Sequence, residues 1–130
     1  MKPFFLFLLL TIHCQLTFAE PLKVVYQLNE MEKTVMAINS INALLKDEPD
    51  ADIVLVVHGP AIIRLSNNDK LRYELRDLID RGVEIGACNN SVLSNGLDPK
   101  LLLPGSKLLI QGGVRRILEL QQAGYLYLKM

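Results

Sequence analysis

Three short segments carry the residues best suited to chemistry: Cys88-Asn89-Asn90-Ser91, His58-Gly59-Pro60 and Gly112-Gly113. A cysteine is nucleophilic as its thiolate, and backbone N–H groups at a helix start lower its pKa. Cys88 follows an apolar run and precedes Asn89, Asn90 and Ser91, all residue types that cap helices. The same thiol also suits packing, because free cysteines are among the most buried side chains. With no Cys-x-x-Cys in the chain, a self-contained dithiol exchange cycle has no sequence basis. His58 is placed to act as a base or to orient a substrate, although a lone histidine beside Gly-Pro is also an ordinary loop residue. Cys88 and His58 are therefore the candidate catalytic residues. Gly59, Asn89, Asn90, Gly112 and Gly113 are the candidate substrate-binding positions. The asparagines bring N–H donors to the thiol, and paired glycines before a helix let an anion approach backbone amides. Turn geometry accounts for paired glycines as well.

Other chemistries lack a pattern. Beyond residue 20 the chain has one cysteine and one histidine, which cannot supply the three or four protein ligands of a zinc site, so no metal is expected. Neither G-x-G-x-x-G nor G-x-x-x-x-G-K-[ST] occurs, so no nucleotide cofactor is expected. Ser91 and His58 lack the G-x-S-x-G elbow that would support a serine triad. Arg72-Tyr73 and Arg115-Arg116 read as solvated helix faces.

The first residues differ from the rest. Lys2 is the only charge before Glu20, an apolar run extends from Phe4 to Ile12, and Thr17-Phe18-Ala19 places small residues at −3 and −1. These are the three parts of a secretory signal peptide cleaved after Ala19. The apolar run falls well short of the roughly 20 residues a spanning helix needs. A retained anchor is the alternative. Residues 1–19 are thus read as a signal peptide and residues 20–130 as a single domain in the periplasm, with no membrane attachment after cleavage. The whole chain has 130 residues, half of them apolar, and a formal charge of zero. Without the leader, 13 basic and 14 acidic residues remain, a net charge of −1. That balance gives no electrostatic pull toward nucleic acid. Cys14 leaves with the leader, so Cys88 has no partner within its own chain. It is buried, reactive, or paired between chains.

The elements that must position these residues alternate. Lys23 to Leu28 reads as a strand. Met31, Val35, Ile38, Ile41 and Leu45 mark one face of a helix. Asp47-Glu48-Pro49-Asp50 ends it, because proline removes a donor. Ile53 to Val57 is a continuous apolar run, which predicts a strand covered on both faces. A second helix fits Asp69 to Arg81, with Leu71, Leu75, Leu78 and Ile79 inward, Asn67 or Asn68 as cap, and Gly82 at its end. Val83 to Ala87 is the third strand. The stretch from Asn89 to Leu103 holds one or two short helices, with Asp98-Pro99 as a cap and first-turn pair. Lys107 to Ile110 is the fourth strand. A helix from Gly112-Gly113 to Ala123 lays Val114, Ile117, Leu118 and Gln121 along one side, and Tyr125 to Leu128 is a final strand. Alternating strands and helices call for right-handed crossovers, so the class is α/β, a three-layer sandwich of a mostly parallel sheet with helices on both faces. In such sheets ligands bind where strands end and helices begin. His58, Cys88 and Gly112 would all lie on that rim.

The order of these motifs resembles the DsrE/DsrF-like family of small sulfur-relay proteins. The carrying segments are Val56-Val57-His58-Gly59-Pro60, Gly82 to Ser91, Leu103-Pro104-Gly105, Gly112-Gly113-Val114 and Leu120 to Tyr125. The likeness spans nearly all of residues 23–130. It implies a five-stranded parallel sheet between helices and assembly into a homo-oligomer, a trimer or hexamer. It also implies that Cys88 accepts sulfane sulfur as a persulfide and passes it between a donor and an acceptor protein. The leader sets this chain apart, because the known relays are cytoplasmic. Two other readings stand beside it: a non-catalytic oligomeric binding module with a structural Cys88, and a redox sensor or intersubunit disulfide.

Overall fold

The computed structural model describes residues 19–130, so residues 1–18 of the proposed leader, Cys14 among them, lie outside the described residues. The chain runs β1 (Lys23–Leu28), α1 (Thr34–Asp47), β2 (Asp52–Val57), α2 (Arg72–Asp80), β3 (Glu84–Cys88), α3 (Asn89–Ser94), β4 (Lys107–Leu109), α4 (Gly113–Gln122) and β5 (Leu126–Lys129). Three 3-10 segments, Met31–Lys33, Gly59–Leu65 and Pro99–Leu101, lead into or join these elements.

The five strands form one sheet in the order β4-β3-β2-β1-β5, and every pairing is parallel. The register brings the strand ends level, with Leu28 beside Val57, Val57 beside Ala87, and Cys88 beside Leu109. That alignment delivers His58, Cys88 and the start of α4 to one rim.

Period-two alternation divides the strands between two cores. On one face Val24, Tyr26, Leu28, Ile53, Leu55, Val57, Ile85 and Ala87 pack under α1, α2, α3 and the Gly59–Leu65 segment. On the other face Val25, Val54, Val56 and Leu109 pack under α4 through Ile117 and Leu120. Helices therefore cover both faces unequally, three against one. β2 lies at the centre and is buried on both sides from Ile53 to Val57, which is why its run does not alternate.

Several elements differ from the sequence expectation, each for a local reason. In α1 the buried residues are Thr34, Ala37, Ile38 and Ile41, while Val35 is half exposed. The helix is entered through a 3-10 turn, which advances faster per residue than an α-helix and rotates the stripe. Thr34 leads that stripe, and its hydroxyl donates to the Met31 carbonyl at 2.7 Å. In α4 the stripe is Gly113, Ile117 and Leu120, whereas Val114 and Leu118 face outward. Its first member is a glycine, which carries no hydropathic signal. α2 begins three residues later than its pattern, because Asp69 accepts from the Leu71 N–H at 2.8 Å and pairs with Arg64, closing a turn first. Neither Asn67 nor Asn68 caps it, since the residue before its first turn is Leu71 and no side chain caps that start. Asp98 does cap the turn at Pro99, accepting from Lys100 N–H at 2.9 Å. Cys88 is the last residue of β3 rather than the residue after it. Among the described residues, no helix is long and apolar enough to cross a membrane.

Leu55 is fully buried at the centre of the larger core, paired with Tyr26 on one side and Ile85 on the other. Leu55→Ala is expected to lower stability by about 2–5 kcal/mol while keeping the fold. A urea titration followed by circular dichroism checks this. An unchanged midpoint would mean that the core does not depend on this layer.

Candidate functional site

The rim is assembled around Gly113. A side chain there would put its Cβ 3.2 Å from Val56 Cγ1, 3.4 Å from Cys88 Cβ and 3.5 Å from His58 Cβ. Glycine lets the first turn of α4 settle onto the ends of β2 and β3 without displacing Val56. The preceding Gly112 has φ +89°, a conformation that L side chains rarely adopt, and this redirects the chain from β4 into α4. The two glycines are therefore structural conditions for the site. Cys88 and His58 share one neighbour in Gly113, so their Cβ atoms are within about 7 Å of each other.

Cys88 is 7% exposed, and burial alone pushes its thiol pKa up. Donors around the sulfur more than offset this: the Ser91 hydroxyl, then the backbone N–H groups of Ser91, Gly113 and Asn90 hold the thiol below its ordinary value. Two helix starts supply these groups, α3 from below the thiol's own strand and α4 from beside it. Ser91 is itself buried, and its oxygen accepts the Gly59 N–H at 2.8 Å. That leaves its proton for the sulfur. Gly59, at φ +57°, thus acts through Ser91 and ties the loop after β2 to the helix after β3.

His58 is partly buried, and its pKa is lowered first by burial and then by the nearby positive charge of Lys129. Its Nε2 lies 2.6 Å from Gln27 Nε2 at the end of β1. Gln27 Oε1 in turn accepts the hydroxyl of Tyr127 on β5. The chain of polar groups thus runs from β2 across β1 to the edge strand.

The structure brings together Cys88, His58, Gly59, Asn90, Gly112 and Gly113. Asn90 acts on the sulfur through its backbone, and its side-chain nitrogen lies 3.9 Å from the Cβ position of Gly112. Asn89 is partly buried at the first position of α3. Ser91, Gln27 and Tyr127 are the additions. Ser91 reads as a helix cap in sequence, whereas its side chain serves the thiol. Gln27 and Tyr127 carry no motif, and only the strand order β2-β1-β5 makes them neighbours of His58. Among the described residues, no cluster of three or more His, Cys, Asp or Glu could hold a metal ion. The larger surface concavities lie elsewhere, along α1 beside β1 and β5 and between α1 and α2.

The model of the DsrE/DsrF-like family matches residues 23–130. The chain belongs to the DsrE/DsrF-like family. Solved structures agree on the fold. MTH1491 of Methanobacterium thermoautotrophicum, a protein of unknown function, is 22% identical with a TM-score of 0.79, covering 84% of this chain and 99% of its own. The ychN protein of E. coli is 17% identical with a TM-score of 0.74, over 84% and 99% of the two chains. BT1422 of Bacteroides thetaiotaomicron, also of unknown function, is 18% identical with a TM-score of 0.66, over 83% and 94%. No curated protein matches the chain.

Ser91→Ala removes one donor to the sulfur and leaves the Gly59 N–H without its acceptor. It is expected to raise the Cys88 pKa and to cost about 1–3 kcal/mol of stability. Alkylation rate against pH reads the first effect: the rise should begin at higher pH in the variant than in the wild type. The sign extends to folding. A thiol depressed in the native state adds stability above the unfolded value, about 8.5, and loses it as the pH falls through the native value. The stability difference between wild type and Cys88→Ser should therefore grow across that window. Superimposable alkylation profiles would remove Ser91 from the site.

Proposed function

We propose that this DsrE/DsrF-like protein is a sulfur carrier of the periplasm that holds sulfane sulfur on Cys88. The observation that carries the reading is the placement of Cys88 at the end of β3, directly before the start of α3 and 3.4 Å by its Cβ from the Cβ position of Gly113 at the start of α4; the donors of these helix starts and the Ser91 hydroxyl lower its pKa. These donors favour the thiolate, which is the form that attacks sulfur.

The Cys88 thiolate attacks the outer sulfur of a persulfide or of thiosulfate. An Sγ–S bond forms as the donor's S–S bond breaks, and the electron pair leaves with the donor thiolate or with sulfite. The bound persulfide then yields its terminal sulfur to an acceptor thiolate or to sulfite, which restores the Cys88 thiolate. No net oxidant or reductant is needed.

The leader-like sequence of residues 1–19 supports export, with cleavage after Ala19. Sequencing the N-terminus of the periplasmic fraction should then find Glu20 first, whereas an intact Met1 or a membrane-bound form would favour a retained anchor. The exposed apolar residues Leu126, Tyr127 and Leu128 of the edge strand β5 support a homo-oligomer, a trimer or hexamer, with the rim around Cys88 as its exchange site. Donor and acceptor proteins would meet it there.

Intact-mass spectrometry after treatment with thiosulfate or polysulfide tests the carrier reading. The processed wild-type protein should gain the mass of one sulfur atom, and Cys88→Ser should not. Absence of that gain in the wild type overturns the proposal. The burial of Cys88 favours one rival, a binding module in which the thiol only packs. Under that rival, maleimide would label Cys88 only after unfolding, and Cys88→Ser would leave assembly and ligand binding intact.

A further inference from the structure

We propose that Gln27 and Tyr127 are positioning residues that hold His58 as the neutral imidazole protonated on Nδ1, so that His58 serves Cys88 chemistry as a hydrogen-bond donor and not as a base. The donor role rests on the sulfur-carrier reading; the tautomer stands on geometry alone.

The geometry begins at the edge strand. Parallel pairing sets Gln27 opposite Lys129 and Val25 opposite Tyr127, which places Gln27 and Tyr127 on the α4 face of the sheet. The Tyr127 hydroxyl donates to Gln27 Oε1. A phenol is a better donor than acceptor, so this contact fixes the amide with its oxygen toward Tyr127. The NH2 end then faces His58, with 2.6 Å between the two nitrogens. An amide nitrogen can only donate, so His58 Nε2 must accept with its lone pair. A neutral imidazole whose Nε2 accepts carries its proton on Nδ1. The positive charge of Lys129 and the burial of the ring both favour the neutral form.

The consequence is chemical. The one basic lone pair of the ring is taken by Gln27, which leaves no free site to accept a proton. What remains is Nδ1–H, on a residue whose Cβ lies 3.5 Å from the same Gly113 Cβ position that is 3.4 Å from Cys88 Cβ. A neutral N–H can stabilise negative charge on the group that departs when Cys88 takes its sulfur. The bond changes are those given above, and no proton is transferred. Fixed donors of this kind act where charge develops.

Long-range nitrogen–proton NMR of the processed protein tests the tautomer, because His58 is the only histidine after residue 19. The wild type should show a protonated Nδ1 and a bare Nε2. Gln27→Glu puts an acceptor in place of the donor, so the proton should move to Nε2 and the His58 titration should rise by about 1 unit or more. Gln27→Ala and Tyr127→Phe should mix the tautomers. Sulfur uptake in Gln27→Ala should fall by about 10-fold or more, as for loss of a donor at a developing charge, while alkylation of Cys88 keeps its rate. His58→Asn, which can donate but cannot act as a base, should recover most of the rate lost in His58→Ala. A native protein with its proton on Nε2, a tautomer unchanged in Gln27→Ala, or no recovery in His58→Asn overturns the inference. A wild type that loads sulfur with the proton on Nε2 defeats this inference alone. A wild type that shows the Nδ1 tautomer but takes up no sulfur defeats the carrier reading, and with it the donor role.

Discussion

The close approach of α4 to the sheet at Gly113 is the contact on which the site depends. A side chain at Gly113 would put its Cβ 3.2 Å from Val56 Cγ1, so that Val56 or the helix start must give by a few tenths of an ångström, and 3.4 Å from Cys88 Cβ, an ordinary contact. Lifting the helix start would withdraw the Gly113 N–H from the sulfur and loosen the packing of Ile117 and Leu120, the next members of the same stripe. The smaller core is closed by that one helix, so its packing and the thiol's electrostatics share a single constraint. Gly59 and Ser91 extend the constraint sideways, because one hydrogen bond joins the loop after β2 to the helix that begins beneath Cys88.

The groups that lower the Cys88 pKa are dipoles and not cations. The guanidinium groups of α4 are engaged elsewhere: Arg116 pairs with Glu84 at 2.9 Å and Arg115 with Glu119 at 3.2 Å. Glu84 also takes Lys107 at 2.8 Å, and its carboxyl is held low by these partners although burial pushes the other way. These charges tie α4 and β4 to the start of β3, at the opposite end of the strand from Cys88. Amide donors pointed at a sulfur keep their geometry when its charge moves one atom outward, as it does on forming a persulfide. A lysine paired to the thiolate would instead follow the charge and could donate a proton to it. Fixed amides suit an atom that must accept and release a neighbour without being protonated.

The architecture was legible because its signals are periodic and local. The unbroken run Ile53 to Val57 announced a strand buried on both faces, and Gly82 and Gly124, both at positive φ, closed the helices before them. Cys88, His58 and the Gly112-Gly113 pair were legible as a rim because parallel strands put every βα junction at one end of the sheet. What escaped the reading has no periodic mark. The stripes of α1 and α4 start on Thr34 and Gly113, a polar residue and one without a side chain, so hydropathy shifted both onto Val35, Val114 and Leu118. Ser91 was visible only as a cap. Gln27 and Tyr127 are a hundred residues apart, and pairing of the first strand with the last is a property of sheet order, which local pattern does not encode.

The depth of Cys88 bears on what the proposed carrier can exchange with. At 7% exposure Cys88 as a residue is sheltered in the single chain. A persulfide adds one S–S bond, about 2.05 Å, and moves the transferable atom outward by that length. The loaded form therefore presents a sulfur that the empty form hides. Under the carrier proposal a donor must bring its sulfur to the sheltered thiol, on a small molecule or at the tip of a persulfide, whereas an acceptor protein needs only to reach the outer atom. Such an asymmetry between loading and delivery would limit wasteful disulfide exchange at Cys88 itself, which in an oxidising compartment is the main hazard for a lone thiol.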